Sequence, residues 1–191
     1  MRLIVGLGNP GSTYVGTRHN IGAQVLERGA RRVSISLKTT SRARIGRGRF
    51  GGQDVALVVP LTWMNQSGLV VADLIRDLQV DPTNLIVIHD DLDLSFGRLR
   101  IKRGGGTGGH NGIRSVIAEI GSPEFIRVKI GIGRPSEGVE VADFVLSPFL
   151  DEEHRVLDRM LDVAVDAVEC LVREGEVVAM NQFHGHNVLA G

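Results

Sequence analysis

The chain has 191 residues, 22 acidic and 22 basic side chains, and a hydrophobic content of 42%. These values are typical of a globular domain with its own core, so we expect a single domain over residues 1–191. No apolar run approaches the roughly 20 residues that a membrane-spanning helix needs, and no separate leader precedes the first apolar run. We therefore expect a cytoplasmic protein without membrane contact. The single cysteine excludes an internal disulfide.

The balanced net charge conceals an uneven distribution along the chain. Eight basic residues and no acid lie between Arg28 and Arg49. Five more basic residues, again without an acid, lie between Arg98 and Arg114. The acids gather towards the C-terminal helical segment. This distribution predicts that one face of the protein binds a polyanion such as a nucleic acid.

Strands and helices are predicted to alternate. Short apolar runs predict strands over Arg2–Leu7, Val55–Pro60, Leu85–Ile88, Arg98–Lys102 and Phe125–Gly133. Helical periodicity predicts helices over Asn20–Arg32, about Ser67–Gln79, Ile113–Ile120 and Asp151–Glu174. Such alternation is typical of an α/β fold, in which helices cover the faces of a sheet.

Three local features complete the predicted elements. Asn20 has the side chain and the position of a helix N-cap. The weak alternation of Val33–Leu37 favours another short strand. The basic segment Thr39–Gly52 is either a mobile loop or an exposed hairpin strand, with Gly51-Gly52-Gln53-Asp54 as its turn.

A glycine loop follows the first strand. Its sequence, Gly-Leu-Gly-Asn-Pro-Gly over Gly6–Gly11, matches the dinucleotide-binding pattern G-x-G-x-x-G. However, Pro10 lacks the backbone donor that a pyrophosphate would need, and no acid follows the second strand to hold a ribose. A nucleotide-dependent oxidoreductase is therefore the weaker interpretation.

Histidines and acids raise the alternative of a metal centre. His19, His89 and His110 occur together with the acidic run at 90–93. Their spacing matches neither the ligand patterns of zinc sites nor a calcium loop. The chain also lacks the G-x-S-x-G elbow of serine hydrolases. We therefore expect no metal and no cofactor.

A general base beside a carboxylate is the remaining chemistry. In an α/β sheet the carboxyl ends of parallel strands meet at one edge, so His19 and Asp90 are predicted to lie close together. The carboxylate would fix the tautomer of the imidazole and stabilise the imidazolium. Amides at loop edges would suit recognition of a carbonyl or peptide group. These amides belong to Asn9, Asn20, Asn65 and Asn111.

Six stretches resemble motifs of the bacterial-type peptidyl-tRNA hydrolases, in the order of that family. They are Val5–Gly11, Tyr14 with Thr17–Asn20, Thr62–Gly68, His89–Asp93, Gly104–Gly112 and Ile130–Pro135. The resemblance implies a three-layer α/β globule with a twisted mixed sheet flanked by helices, and a monomer without metal or cofactor. It also implies hydrolysis of the ester between a peptide and the 3′-terminal ribose of tRNA. A non-catalytic RNA-binding module is the alternative.

The resemblance also implies roles for the matching residues. His19 would activate water, Asp90 would orient and stabilise His19, and Asn9 would distinguish a blocked peptidyl group from a free aminoacyl group. The peptide and the tRNA 3′ end would contact Tyr14, Trp63, Met64, Asn65, His110 and Asn111. Lys102 and Lys129 would hold the 5′-phosphate beside the acceptor stem. Lys129 stands where the family commonly has arginine, so it keeps the charge but lacks the guanidinium fork.

Overall fold

A mixed sheet of seven strands organises the residues that the computed structural model describes, 1–185 and 187–188. The strands are β1 (Arg2–Gly6), β2 (Lys38–Thr39), β3 (Ala43–Phe50), β4 (Gln53–Pro60), β5 (Leu85–Asp91), β6 (Leu99–Arg103) and β7 (Ile126–Gly131). They lie in the order β2-β3-β4-β1-β5-β7-β6. β1 pairs in parallel with β4 and β5, and β5 pairs in parallel with β7. The remaining pairs are antiparallel. Residues 186 and 189–191 of the predicted domain lie outside the described residues.

Helices cover both faces of this sheet. They are α1 (Ile21–Arg32), α2 (Ser67–Asp77), α3 (Asn111–Ile120), α4 (Val141–Val145), α5 (His154–Glu174) and α6 (Glu176–Phe183). Successive side chains of a strand point to opposite faces, so the buried strands supply two cores. Ile4 of β1 packs into the core with α1 and α5, whereas Leu3 and Val5 pack into the core with α2 and α3. The predicted three-layer α/β fold with a mixed sheet is confirmed.

Most predicted elements occur within a few residues of their predicted bounds, but one predicted strand is absent and two helices were missed. Val33–Leu37 is not a strand, because Ser34 has a φ of 57° and the Ile35 amide donates to Ala30, which closes the end of α1. Helices α4 and α6 were not predicted. None of the described helices has both the length and the apolar character needed to cross a membrane.

The basic segment from 39 to 52 adopts the hairpin alternative. Strand β3 pairs along its whole length with β4, from Ala43 opposite Pro60 to Phe50 opposite Gln53. The turn between the strands contains Gly51 and Gly52, with φ values of 53° and 78°. Two successive positive φ angles match the twist of a tight hairpin and favour glycine.

Many of the basic side chains from 28 to 49 form ion pairs within the protein. Four of the eight meet acids on other elements: Arg28 with Asp158, Arg32 with Asp162 and Asp166, Arg42 with Asp73, and Arg44 with Glu27. These pairs join α1 to α5 and the hairpin to α1 and α2. These four side chains neutralise acids of neighbouring elements, so they add less free positive charge to the surface than their clustering in the sequence suggests.

A close contact between α1 and β5 sets the position of the residues before α1. A Cβ atom on Gly22 would lie 2.2 Å from the carbonyl oxygen of Ile88, which is backbone and has no room to yield. The amide of Leu7 donates to the same carbonyl at 3.0 Å. His19 is three residues before Gly22, so this contact holds the histidine at the end of β5.

We expect Gly22→Ala to lower the free energy of unfolding by about 1–3 kcal/mol, the range typical of overpacking in a filled core. The measurement is urea unfolding followed by circular dichroism. Gly16→Ala is the control, because a Cβ atom at Gly16 would meet no atom within 4 Å. We expect the control to change stability by less than about 0.5 kcal/mol. Equal stability of the two variants would contradict the contact.

Candidate active site

The residues predicted to carry chemistry converge at the carboxyl edge of the parallel strands. Asp90 is the second-last residue of β5, and His19 lies in the 3-10 turn Arg18–Asn20 that leads into α1. His110 is the N-cap of α3, immediately after the glycine-rich loop. One strand end, one 3-10 turn and one helix start therefore bring three ionisable side chains together, at the edge where α/β sheets bind ligands.

The Asp90 carboxylate lies between two imidazoles. His19 Nδ1 is 2.9 Å from both carboxylate oxygens, and His110 Nε2 is 2.8 Å from Oδ1. Asp90 itself is only 2% exposed. The proximity of His19 and Asp90 is what the sequence predicted. The bond from His110 to the same carboxylate was not predicted.

The hydrogen bonds assign a tautomer to each of these two rings. His110 Nδ1 accepts from the backbone amides of Gly112 and Ile113, at 3.1 and 3.3 Å, so it carries no hydrogen. The hydrogen of His110 is therefore on Nε2 and is donated to Asp90. His19 donates through Nδ1, which leaves its Nε2 with a free lone pair. A free ring nitrogen held in this way is what general-base catalysis by histidine requires.

A third histidine, His89, is hydrogen-bonded to the backbone of Asp90. His89 Nδ1 donates to the Asp90 carbonyl oxygen at 2.6 Å, and its ring meets the His110 ring edge-on at 4.8 Å between centroids. Burial holds the pKa of His89 well below its usual range, and His110 acts in the same direction. Burial alone would raise the pKa of Asp90, but His110 and His19 outweigh it and hold that pKa well below its usual range.

Asn9 is fixed by two neighbours. Asn20 occupies the N-cap position of α1 as predicted, but its side chain makes no capping hydrogen bond because it is engaged elsewhere. Asn20 Oδ1 accepts from the Asn9 amide at 2.8 Å, and Asn20 Nδ2 donates to the Asn9 carbonyl oxygen at 2.9 Å. Asn9 Oδ1 in turn accepts from the Met64 amide at 2.8 Å. This leaves the Asn9 side-chain NH₂ as a donor that faces the site. The glycine loop does not lead directly into an α-helix whose first amides could bind a phosphate.

An open cavity of about 570 Å³ lies over these groups. Most of the predicted site residues line it: Asn9, His19, Trp63, Met64, Asn65, Asp90, His110, Asn111 and Lys129. Two predicted residues do not. Tyr14 lies beside the cavity and packs edge-on against Trp63, with 5.8 Å between ring centroids. Lys102 lies on β6, outside the cavity lining.

The two predicted phosphate-binding lysines lie on one face of neighbouring strands. In the β6–β7 register Lys102 is opposite Arg127, and Arg100 is opposite Lys129. Directly opposed residues share a face, as do residues two apart in a strand. Lys129 forms an ion pair with Asp91, and Lys102 is exposed.

Arg127 is a structural residue that the sequence interpretation did not identify. Its guanidinium donates to the carbonyl oxygens of Gly105 and Gly106, both at 2.5 Å. It therefore supports the glycine-rich loop that carries His110. The only signal in the sequence is the alternation of basic residues along β7, which does not distinguish a buried arginine from an exposed one.

His19, Asp90 and His110 are the described residues whose donor atoms are close enough to hold a metal, all within 4.8 Å. Each facing nitrogen already donates its hydrogen to the carboxylate, so a cation would have to displace two hydrogen bonds. The other two acids of this run form ion pairs with basic side chains. Asp91 pairs with Lys129, and Asp93 pairs with Arg134.

Fold and site together define the class of the protein. It is an α/β protein with a buried histidine–carboxylate pair in a cavity at the carboxyl edge of its sheet, an arrangement typical of enzymes in which a histidine transfers a proton.

Comparison with known proteins gives the family. A family model described as peptidyl-tRNA hydrolase matches residues 3–190. The peptidyl-tRNA hydrolase of Syntrophotalea carbinolica is 44% identical over 185 residues, which cover 96% of this chain and 97% of that protein. The Mycobacterium tuberculosis enzyme is 46% identical over 184 residues, with 95% and 96% covered.

A solved structure agrees with the sequence comparisons. The crystal structure of peptidyl-tRNA hydrolase from Acinetobacter baumannii superposes with a TM-score of 0.92 at 40% identity, and the match covers 98% of this chain and 96% of that one. The chain therefore belongs to the peptidyl-tRNA hydrolase family, and the resemblance seen in its motifs is confirmed.

The pKa shift of His89 predicts a pH dependence of stability. Unfolded histidine binds a proton below about pH 6.5, whereas buried His89 stays neutral to a much lower pH. The unfolded chain then holds more protons, so stability falls as the pH drops below about 6.5, by up to about 1.4 kcal/mol per pH unit from this group. The contribution of Asp90 is complete above about pH 4 and is lost only at lower pH.

We expect His89→Asn to reduce this slope between about pH 4.5 and 6.5, because asparagine can still donate to the Asp90 carbonyl but does not titrate. The measurement is the free energy of urea unfolding at several pH values for both proteins. His154→Asn, at an exposed position at the start of α5, is the control and should keep the slope of the parent. If the His89 variant kept the pH slope of the parent protein, this pH dependence would not come from His89.

Proposed function

We propose that the protein hydrolyses the ester between a peptide and the 3′-terminal ribose of tRNA, with His19 as the general base on water. The observation that carries this proposal is the pair of 2.9 Å contacts from His19 Nδ1 to the Asp90 carboxylate, which leave His19 Nε2 as the basic atom in the cavity. Membership of the peptidyl-tRNA hydrolase family supports the choice of substrate.

The reaction follows from these positions. His19 Nε2 takes a proton from water while the water oxygen attacks the ester carbonyl carbon. The bond from that carbon to the ribose oxygen then breaks, and the imidazolium returns its proton to the ribose oxygen. The peptide leaves as a carboxylic acid and the tRNA regains its terminal hydroxyl. Asp90 stabilises the imidazolium, and a positioned base of this kind contributes about 10²–10⁴-fold.

Asn9 is proposed to distinguish a blocked from a free amino group. Its Oδ1 is occupied by the Met64 amide, so its side chain presents a donor to the substrate. A peptidyl group offers a carbonyl oxygen to such a donor, whereas a free aminoacyl group offers an ammonium, which cannot accept a hydrogen bond. The fixed orientation of Asn9 thus favours peptidyl-tRNA.

The other residues of the cavity are proposed to bind the peptide and the tRNA 3′ end. Asn65 and Asn111 supply amides, and Met64 and Trp63 supply apolar surface, with Tyr14 supporting Trp63. His110 lines the same cavity while it holds Asp90. Its proposed contact with the substrate is therefore made by a ring whose nitrogens are already engaged.

The tRNA body is proposed to bind along β6 and β7. Lys102 and Lys129 share a face, and β7 is the strand next to Asp90 on β5. Their charges would hold the 5′-phosphate of the acceptor stem while the 3′ end enters the cavity. We propose that the protein acts in this way as a monomer in the cytoplasm, without a metal or cofactor.

The function is tested by incubating the protein with N-acetyl-aminoacyl-tRNA and, separately, with unblocked aminoacyl-tRNA. We expect ester loss from the blocked substrate only. His19→Ala should lower the rate by about 10²–10⁴-fold and leave tRNA binding intact, since the base acts only in the chemical step. His154→Ala, at an exposed position at the start of α5, should retain the parent rate. Cleavage of both substrates alike would refute the proposal, and binding without cleavage would favour an RNA-binding module.

Lys102 is tested through the salt dependence of tRNA affinity. We expect Lys102→Ala to weaken binding and to lower the slope of log affinity against log salt by about one, because one phosphate contact is lost. Lys38→Ala is the matched control, since Lys38 is an exposed lysine on β2, at the opposite edge of the sheet. A change in turnover at saturating substrate with unchanged affinity would rule out the phosphate role.

A further inference from the structure

One wall of the cavity is formed by the segment between β7 and α5. Residues 141–150, called here the α4 wall, comprise helix α4 and the loop that follows it. Val141, Ala142, Val145 and Leu146 line the cavity that also contains His19. All four side chains are apolar, so this wall contributes surface for contact but no polar group for catalysis.

A buried arginine immediately before His19 holds this wall through polar contacts. Arg18 is 3% exposed. Its Nη1 donates to Ser147 Oγ at 3.0 Å and also to the Pro148 carbonyl oxygen. Its Nη2 lies 2.6 Å from Glu153 Oε2, and the same carboxylate accepts from the Leu150 amide at 2.6 Å. One guanidinium therefore engages the far end of the wall and, through Glu153, the backbone of Leu150.

Aromatic and backbone contacts add to the same attachment. The Arg18 guanidinium lies over the rings of Phe144 and Phe149, at 4.6 and 5.0 Å from their centroids. The Arg18 amide donates to the Ser147 carbonyl oxygen at 3.1 Å. Thr17 forms an isolated antiparallel bridge with Pro148. A planar guanidinium serves ring stacking and forked hydrogen bonding together, which a lysine ammonium does not.

The attachment point and the base belong to one rigid unit. Arg18 and His19 are consecutive residues of the same 3-10 turn, and both are buried. His19 is fixed by Asp90, so the turn does not yield independently of the catalytic pair. A displacement of the α4 wall must break the Arg18 contacts first.

We propose that Arg18 is a positioning residue, which holds the α4 wall beside His19 and thereby sets the affinity for the part of the substrate that this wall contacts. This inference rests on the proposed function for its substrate. Arg18 does not touch the reacting atoms. It holds the wall through its contacts with Glu153, Phe144 and Phe149. Because Arg18 and His19 share one turn, these contacts also fix the position of the wall relative to His19.

The test uses Glu153→Gln and Arg18→Lys, with Arg28→Met as the matched control. Glu153 does not line the cavity, and its replacement removes a charge without changing its size. Arg28 likewise forms an ion pair, but with Asp158 of α5 at 2.6 Å, which lies outside the α4 wall. Each protein is measured by steady-state hydrolysis of N-acetyl-aminoacyl-tRNA and by amide hydrogen exchange.

We expect Glu153→Gln to raise KM and lower kcat/KM by roughly tenfold, with kcat within about twofold of the parent, because the wall is loosened while the base stays in place. Arg18→Lys should show the same rise in KM. Amide exchange should become faster in residues 141–150 and stay unchanged in the centre of α5. Arg28→Met should match the parent in both measurements.

Unchanged exchange in residues 141–150, or exchange that rises equally throughout α5, would overturn the proposal. A KM change no larger than that of Arg28→Met would do the same. Failure of the proposed function is seen separately, as the absence of ester loss in the unaltered protein. The exchange measurement needs no substrate, so it tests whether Arg18 holds the α4 wall even if the protein shows no ester hydrolysis.

Discussion

The buried carboxylate of Asp90 is the interaction on which the site depends. An isolated carboxylate in this position would lose its hydration without replacement, which costs several kcal/mol. Two imidazole N–H donors replace that hydration, from His19 and His110. Each donor needs its own rigid support, because a ring that turned away would leave the charge unpaired. The close approach of α1 to β5 at Gly22 and the N-cap of α3 supply those supports.

His110 shows how a helix start sets the hydrogen bonding of the pair His19–Asp90. The first amides of α3 have no partner within the helix and donate to His110 Nδ1. This forces the ring hydrogen onto Nε2, where Asp90 receives it. Asp90 Oδ2 is then left to His19 alone, which also contacts Oδ1. Backbone geometry at one helix end thus determines, through two side chains, which nitrogen of His19 is free to act as a base.

The sequence was sufficient for the layers of the fold and for the pair His19–Asp90. Both follow from general rules: buried apolar runs become parallel strands, and polar residues after such strands meet at the carboxyl edge. The bond from His110 to Asp90 and the clamp of Asn20 on Asn9 were not predictable in this way. They depend on loop conformations that bring residues together over 20 and 11 positions, and no periodicity records them. The short α4 has too few residues for a periodic signal, and the side chains of α6 lack a clear apolar stripe.

The charge pattern carried less information about function than its clustering suggested, for a physical reason. Basic side chains of α1 and the hairpin neutralise acids of α5, α2 and α1 itself, so much of the segregation along the sequence disappears in three dimensions. The exposed charge of Lys102 remains on β6, at the edge of the sheet and beyond β7 from Asp90. The tRNA contact proposed along β6 and β7 would therefore meet positive charge close to His19. Internal pairing thus lowers the free positive charge of the segment from 28 to 49, so clustering along the sequence overstates the basic surface of the folded protein.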